Sequence, residues 1–114
     1  MNKLELQENL KKYTCIENCI IRNVISKFSG KWAILVLCVL YESGTIRFNL
    51  INRALPDISP KVLTQTLKTL EEIGLVSRTV YSEIPPRVEY FLTKKGDSLM
   101  PNILNLIDWA IQNS

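Results

Sequence analysis

The sequence predicts a mainly α-helical chain with one small β-hairpin, and three observations point there. Apolar residues recur at helical spacing through most of the 114 residues. One stretch, residues 75–81, switches to the two-residue period of a strand. It is followed by a proline-stiffened tip and a second β-favouring run. Serine, threonine, proline and glycine stand where helix starts and stops need them.

From the N-terminus, residues 4–12 form a short amphipathic pattern with Leu4, Leu6 and Leu10 as its apolar side. Residues 19–26 carry Ile20, Ile21, Val24 and Ile25 at helical spacing, and Ser29-Gly30 interrupts them. Residues 31–41 resume as a mostly apolar helix, the mark of a buried central element, which Ser43-Gly44 ends. Residues 45–48 favour β structure. Residues 48–54 then predict a helix of about two turns, capped by Asn49 or a neighbour, and Leu55-Pro56-Asp57 turns the chain.

Ser59-Pro60 opens the best-defined helix. Serine suits the N-cap, and proline suits the first helical position, where a missing N–H costs nothing. This helix runs to about Ile73 and stops at Gly74, a natural left-handed C-cap. In the following strand Val76, Arg78 and Val80 share one side and Ser77, Thr79 and Tyr81 the other. Residues 83–86 make the tip and residues 87–92 return as the second strand. Thr93 caps a last helix from Lys94 to about Gln112, which Pro101 either kinks or restarts.

Composition excludes several function classes. Hydrophobic residues make up 46% of the chain and charged residues 22%, which is a globular balance. A single domain over residues 1–114 is expected. The net charge of +3 is too small for a general polyanion coat but allows a local basic patch. The most apolar stretch, residues 33–41, falls far short of the roughly 20 residues of a membrane span, and no signal peptide is visible. A cytoplasmic location is expected. There is no histidine, which removes Ser-His-Asp and Cys-His catalysis and mixed Cys/His zinc sites. The three cysteines, Cys15, Cys19 and Cys38, are an odd number and contain no Cys-x-x-Cys pair. No enzyme activity, no cofactor and no metal is expected.

The helix after Ser59 carries the functional expectation. On a helical wheel Leu63, Leu67 and Leu70 fall on one face, with Ile73 at its edge. Lys61, Gln65, Lys68 and Glu72 fall on the opposite face, flanked by Val62, Thr64 and Thr69. Lysine reaches guanine acceptors or phosphate, glutamine pairs with adenine, and the threonine methyl fits the thymine methyl. Ser59 and the first free N–H groups suit a phosphate. Any solvated helix face carries Lys and Gln, so the context decides. A short helix, a turn, a Ser-Pro-started helix and a hairpin follow the order of a winged helix-turn-helix. The hairpin supplies Arg78 and Arg87, suited to the DNA backbone or the minor groove. The predicted DNA-binding set is therefore Ser59, Lys61, Val62, Thr64, Gln65, Lys68, Arg78 and Arg87.

The stretches Gly30-Lys31-Trp32, Arg47-Phe48, Arg53 through Gln65, Leu70-Glu71, Gly74-Leu75-Val76, Arg78 through Tyr81, and Pro85-Pro86-Arg87-Val88-Glu89-Tyr90 with Leu92-Thr93 and Gly96 carry a family resemblance. In order and spacing the chain resembles the HxlR-type winged helix-turn-helix regulators over about residues 19–109. The resemblance implies a dimeric bacterial or archaeal transcription factor. It maps the family's recognition helix onto residues 60–72 and its wing onto residues 78–89. Ile20 stands where the family often has proline, and Phe28-Ser29 where it often has small residues.

The resemblance also places Cys19 at the family's N-terminal cysteine, which in redox-sensing members reacts with oxidants or electrophiles. A predicted helix start and Arg22 favour a reactive thiolate at Cys19, and Glu17 opposes it. The bland alternative is a small buried hydrophobe beside Ile20. Cys15 is a candidate partner, and Cys38 reads as core.

Residues 99–111 are apolar over more than the stripe one core needs: Leu99, Met100, Ile103, Leu104, Leu106, Ile107, Trp109, Ala110 and Ile111. The excess predicts a homodimer through terminal helices at about residues 1–28 and 97–113. Such a dimer spaces two recognition helices about 34 Å apart on a near-palindromic site in double-stranded DNA. The alternative is a winged-helix protein-interaction module without DNA binding.

Overall fold

A computed structural model describes residues 2–6, 8 and 21–114. Residues 3–6 and 8 are helical, with Leu4 and Leu6 exposed. The remainder of the expected first helix, with Leu10, and both Cys15 and Cys19 lie outside the described residues.

Where the spacing predicts an α-helix over residues 19–26, a π-helical turn, Ile21–Ile25, runs instead into one α-helical turn, α1 (Ser26–Phe28). Helix α2 (Lys31–Ser43) follows, and Ala33, Val36, Leu37 and Leu40 bury one side of it. It ends as expected at Gly44, whose φ of 75° is a left-handed value that costs glycine little. Two residues, Ile46–Arg47, form β1, and α3 spans Phe48–Ala54. The cap of α3 differs from the expectation. Arg47 occupies the N-cap without a side-chain bond, and Asn49 is already inside the helix. Here β1 runs directly into α3, so no free polar residue precedes the first turn.

Helix α4 (Pro60–Glu72) begins and ends as its sequence dictates. The Ser59 hydroxyl accepts a hydrogen bond from the Val62 N–H at 3.1 Å, and Pro60 takes the first helical position. At the far end the Leu75 N–H donates to the Leu70 carbonyl and the Gly74 N–H to the Glu71 carbonyl, both at 3.0 Å. Gly74 has a φ of 80°. This is a Schellman ending, sealed by contact of two buried leucines, Leu70 and Leu75.

Strands β2 (Val76–Tyr81) and β3 (Arg87–Leu92) form the expected hairpin. The sheet has one strand more than the hairpin. β1 pairs antiparallel with β3, Ile46 opposite Tyr90 and Arg47 opposite Glu89, giving the order β1-β3-β2. Residues directly opposite share a face, so Arg47, Glu89, Thr79, Arg87 and Tyr81 lie on the outer face of the sheet. Ile46, Tyr90, Arg78 and Val76 lie on the inner one.

Helix α5 (Lys94–Gln112) runs unbroken through Pro101 and is not restarted there. Proline removes the bond to the Asp97 carbonyl, but both residues are exposed, so the freed carbonyl is on the solvent side. The first turn of α5 is fastened to the end of α4. The Thr93 hydroxyl donates to the Gly74 carbonyl at 2.6 Å, the Thr93 N–H to the Leu75 carbonyl at 3.0 Å, and Lys95 Nζ to the Ile73 carbonyl at 2.8 Å. Gly96 makes this approach feasible, because a Cβ there would lie 2.2 Å from the Leu75 carbonyl oxygen.

One core joins these elements. Val36, Leu37 and Leu40 of α2, Ile51 of α3, Leu63, Leu67 and Leu70 of α4, and Met100 of α5 are all at most 1% exposed. No single described helix is long and apolar enough to cross a membrane.

Candidate nucleic-acid interface

The core fixes the orientation of α4. With Leu63, Leu67 and Leu70 turned inward, the side chains of Lys61, Val62, Thr64, Gln65 and Lys68 are exposed along the outer face, as the wheel predicts. Ser59 is exposed at the start of the helix, its hydroxyl oxygen bonded to the Val62 N–H. Six of the eight predicted residues thus lie on one continuous surface.

The threonines are more constrained than the sequence suggests. Thr64 donates its hydroxyl to the Pro60 carbonyl at 2.8 Å, and Thr66 donates to the Val62 carbonyl at 2.7 Å. Each hydroxyl proton is therefore engaged inside the helix. What remains outward at Thr64 is a methyl group and an acceptor oxygen. An open groove of about 770 Å³ runs beside this face, lined by Phe48, Pro60, Lys61, Val62, Thr64, Gln65 and Thr66. Phe48 comes from α3, so the first helix of the pair supplies one wall. On the other side a smaller groove carries Gln65, Thr66 and Thr69 toward Lys27 and Lys31. The Lys31 ammonium lies 4.5 Å from the centre of the Trp32 ring.

The wing presents a different electrostatic picture. Arg78 Nε lies 3.6 Å from a carboxylate oxygen of Glu71, near the C-terminal end of α4. Arg87 lies between Glu83 at 3.4 Å and Glu89 at 3.9 Å, and its guanidinium stacks 4.0 Å from the Tyr81 ring centre. Arg87 Nε is buried and lacks a hydrogen-bond acceptor among the described residues. Both predicted wing arginines therefore carry charge that carboxylates already offset. By contrast, Lys61, Lys68, Arg47 and Arg53 form no ion pair among the described residues.

Arg47 and Phe48 were not among the predicted site residues. Their placement depends on β1 joining the sheet, and a two-residue strand leaves no periodic signal. Among the described residues, no group of three or more His, Cys, Asp or Glu is placed to hold a metal ion. Cys38 is partly buried in α2, and desolvation pushes its thiol pKa up. Cys19, the candidate redox thiol, is outside the described residues.

Comparison with known proteins agrees with this geometry. The model of the HxlR-like helix-turn-helix family matches residues 27–114. An uncharacterized HTH-type transcriptional regulator of Methanothermobacter thermautotrophicus is 47% identical over 92 residues, spanning 81% of this chain and 70% of that protein. Among solved structures, the redox regulator HypR in its oxidized form superposes with a TM-score of 0.75 at 35% identity, covering 84% of this chain and 98% of that one. Diamide-treated YodB from Bacillus subtilis gives a TM-score of 0.71 at 34% identity, covering 87% and 94%.

Proposed function

The chain belongs to the HxlR-like helix-turn-helix family of DNA-binding transcriptional regulators, and from that premise we propose that it works as a homodimer on a near-palindromic site in double-stranded DNA. Helix α4 enters the major groove. Lys61 and Lys68 meet phosphate or guanine, Gln65 pairs with adenine, and Val62 and Thr64 pack on thymine methyls. Ser59 and the wing arginines Arg78 and Arg87 lie along the backbone. The role is binding, in the cytoplasm, with no catalytic step.

The observation that carries this reading is the division of α4. Three leucines hold its inner face in the core, while its outer face is polar, cationic and open beside a groove. The dimer is supported by α5, whose distal half exposes Leu104, Leu106, Trp109 and Ile111 at 40–68%. So much apolar surface on one helix calls for a partner, and twofold pairing is the commonest form. A light-scattering mass equal to one chain would remove the dimer.

Selection of bound fragments from the chain's own genome tests the DNA reading. The expected product is an inverted repeat with half-sites about one helical turn apart. In the Lys61→Ala/Gln65→Ala double variant, binding to the selected site is expected to weaken by roughly 100-fold, with relaxed base preference at one position. Unchanged binding by that variant places recognition elsewhere.

A redox response through Cys19 is a second part of the proposal. The described likeness to HypR and YodB, one oxidized and the other diamide-treated, favours it. Cys38 is the poorer candidate, since its raised pKa keeps it a thiol at neutral pH. Oxidation is expected to change the affinity of the wild-type chain and of a Cys38→Ser variant equally. A response that survives Cys19→Ser assigns the sensor to another residue.

A further inference from the structure

A second groove lies between the start of α3 and the tip of the wing. It is lined by Arg47, Phe48, Asn49, Pro85, Pro86, Arg87 and Val88, and encloses about 320 Å³. Four observations together describe a seat for an anion. Arg47 is exposed and, among the described residues, forms no ion pair. Arg87, on the same face of the sheet, lines the groove with its guanidinium already set between Glu83 and Glu89. Asn49 adds an exposed amide beside them. The groove shares Phe48 with the larger groove beside α4, so whatever lies against the recognition face continues into it.

We infer that this groove holds a phosphate of the DNA backbone, with Arg47 as its principal cation. The inference rests on the DNA-binding reading and adds to it a contact made by a residue of neither the recognition helix nor the hairpin. Glu89 explains the division of labour. It stands opposite Arg47 in the register, but its carboxylate is placed on Arg87, as is that of Glu83. Arg87 is thus largely neutralised, whereas Arg47, unpaired among the described residues, keeps its charge for the ligand. A guanidinium suits the task because its planar fork matches two oxygens of one phosphate.

The test uses the full-length chain and a 30-base-pair duplex of random sequence, with affinity measured by fluorescence anisotropy across a salt series. Each lost phosphate contact lowers the slope of log K against log salt by about 0.9. Arg47→Gln is expected to lower it by about that much per protomer and to weaken binding roughly tenfold at low salt. Arg47→Lys is expected to keep most of the slope, because the charge is retained. Arg78→Gln, whose arginine lies on the inner face against Glu71, is expected to change the slope less than Arg47→Gln. Lys61→Gln monitors the underlying reading. If Lys61→Gln flattens the slope and Arg47→Gln does not, the phosphate seat is wrong and the recognition face stands. Equal losses in Arg47→Gln and Arg47→Lys make Arg47 a structural residue and overturn the proposal. If the wild-type chain binds the duplex with no salt dependence, both readings fail.

Discussion

The segment from β1 through α4 and the wing hold their basic side chains in opposite electrostatic states. From Arg47 to Lys68 the chain carries Arg47, Arg53, Lys61 and Lys68 against a single carboxylate, Asp57. From Val76 to Leu92 it carries Arg78 and Arg87 against Glu83 and Glu89. In the first region the cations stay unpaired among the described residues; in the second each arginine is held by a carboxylate. The difference separates two tasks. Charge that is already paired holds the wing side chains in place, and charge that is left open is available to the DNA of the proposed function. Exposed pairs of this kind contribute only about 0–1 kcal/mol each, so their effect is to fix arginine geometry more than to stabilise the fold.

The comparison can be broken from either side. Its foundation is the leucine face of α4. Leu67→Ala removes a side chain only 1% exposed and is expected to destabilise the protein by about 2–5 kcal/mol in urea unfolding, taking DNA binding with it. A loss under about 1 kcal/mol would mean that α4 is not anchored as described. Next in size is the contrast of charges. Lys61→Ala with Lys68→Ala is expected to lower the salt slope of DNA binding by about 1.8 per protomer. Arg78→Ala with Arg87→Ala is expected to lower it by less than half as much. Equal losses erase the distinction between helix and wing. Ser59→Ala removes the cap on the Val62 N–H and is expected to cost about 1 kcal/mol of stability by thermal or urea unfolding. The smallest effect sharpens the contrast. Glu71→Gln releases Arg78, and affinity for duplex DNA is expected to rise about two- to threefold at low salt, with the gain vanishing near 0.5 M. No gain would mean that Arg78 is too far from DNA for its charge to matter.

What the sequence makes legible is what local chemistry decides. Ser59-Pro60 and Gly74 mark the ends of α4 because a cap, a pre-set φ and a left-handed terminus are each properties of one residue. The leucine and lysine faces follow from periodicity alone. Phe48–Ala54, Arg87–Leu92 and the Thr93 cap are legible for the same reasons. The features that needed the structure are those joining distant segments. Residues 45–48 favour β structure on their own, but that β1 pairs with β3 and so sets Arg47 next to the wing has no local signature. The pairing of Arg78 with Glu71 crosses from sheet to helix, so counting charges along the chain could not anticipate it. Pro101 leaves a kink or a restart open, and the continuous helix excludes the restart. The effect of this proline depends on whether solvent can reach the freed carbonyl, and Asp97 and Pro101 are both exposed.

The fastening of α5 to the end of α4 has a mechanical consequence. Thr93 and Lys95 grip the Ile73–Leu75 carbonyls, and Gly96 leaves no slack between the two backbones. The two helices therefore pivot as one piece. A helix of 19 residues is about 28 Å long, so a rotation of about 10° of the joined pair carries the far end of α5 about 5 Å. In the proposed dimer that far end bears Trp109 and Ile111. A change in how they seat against a partner acts on a long lever arm whose fulcrum is the base of the recognition helix, and it alters the span between the two DNA-reading elements.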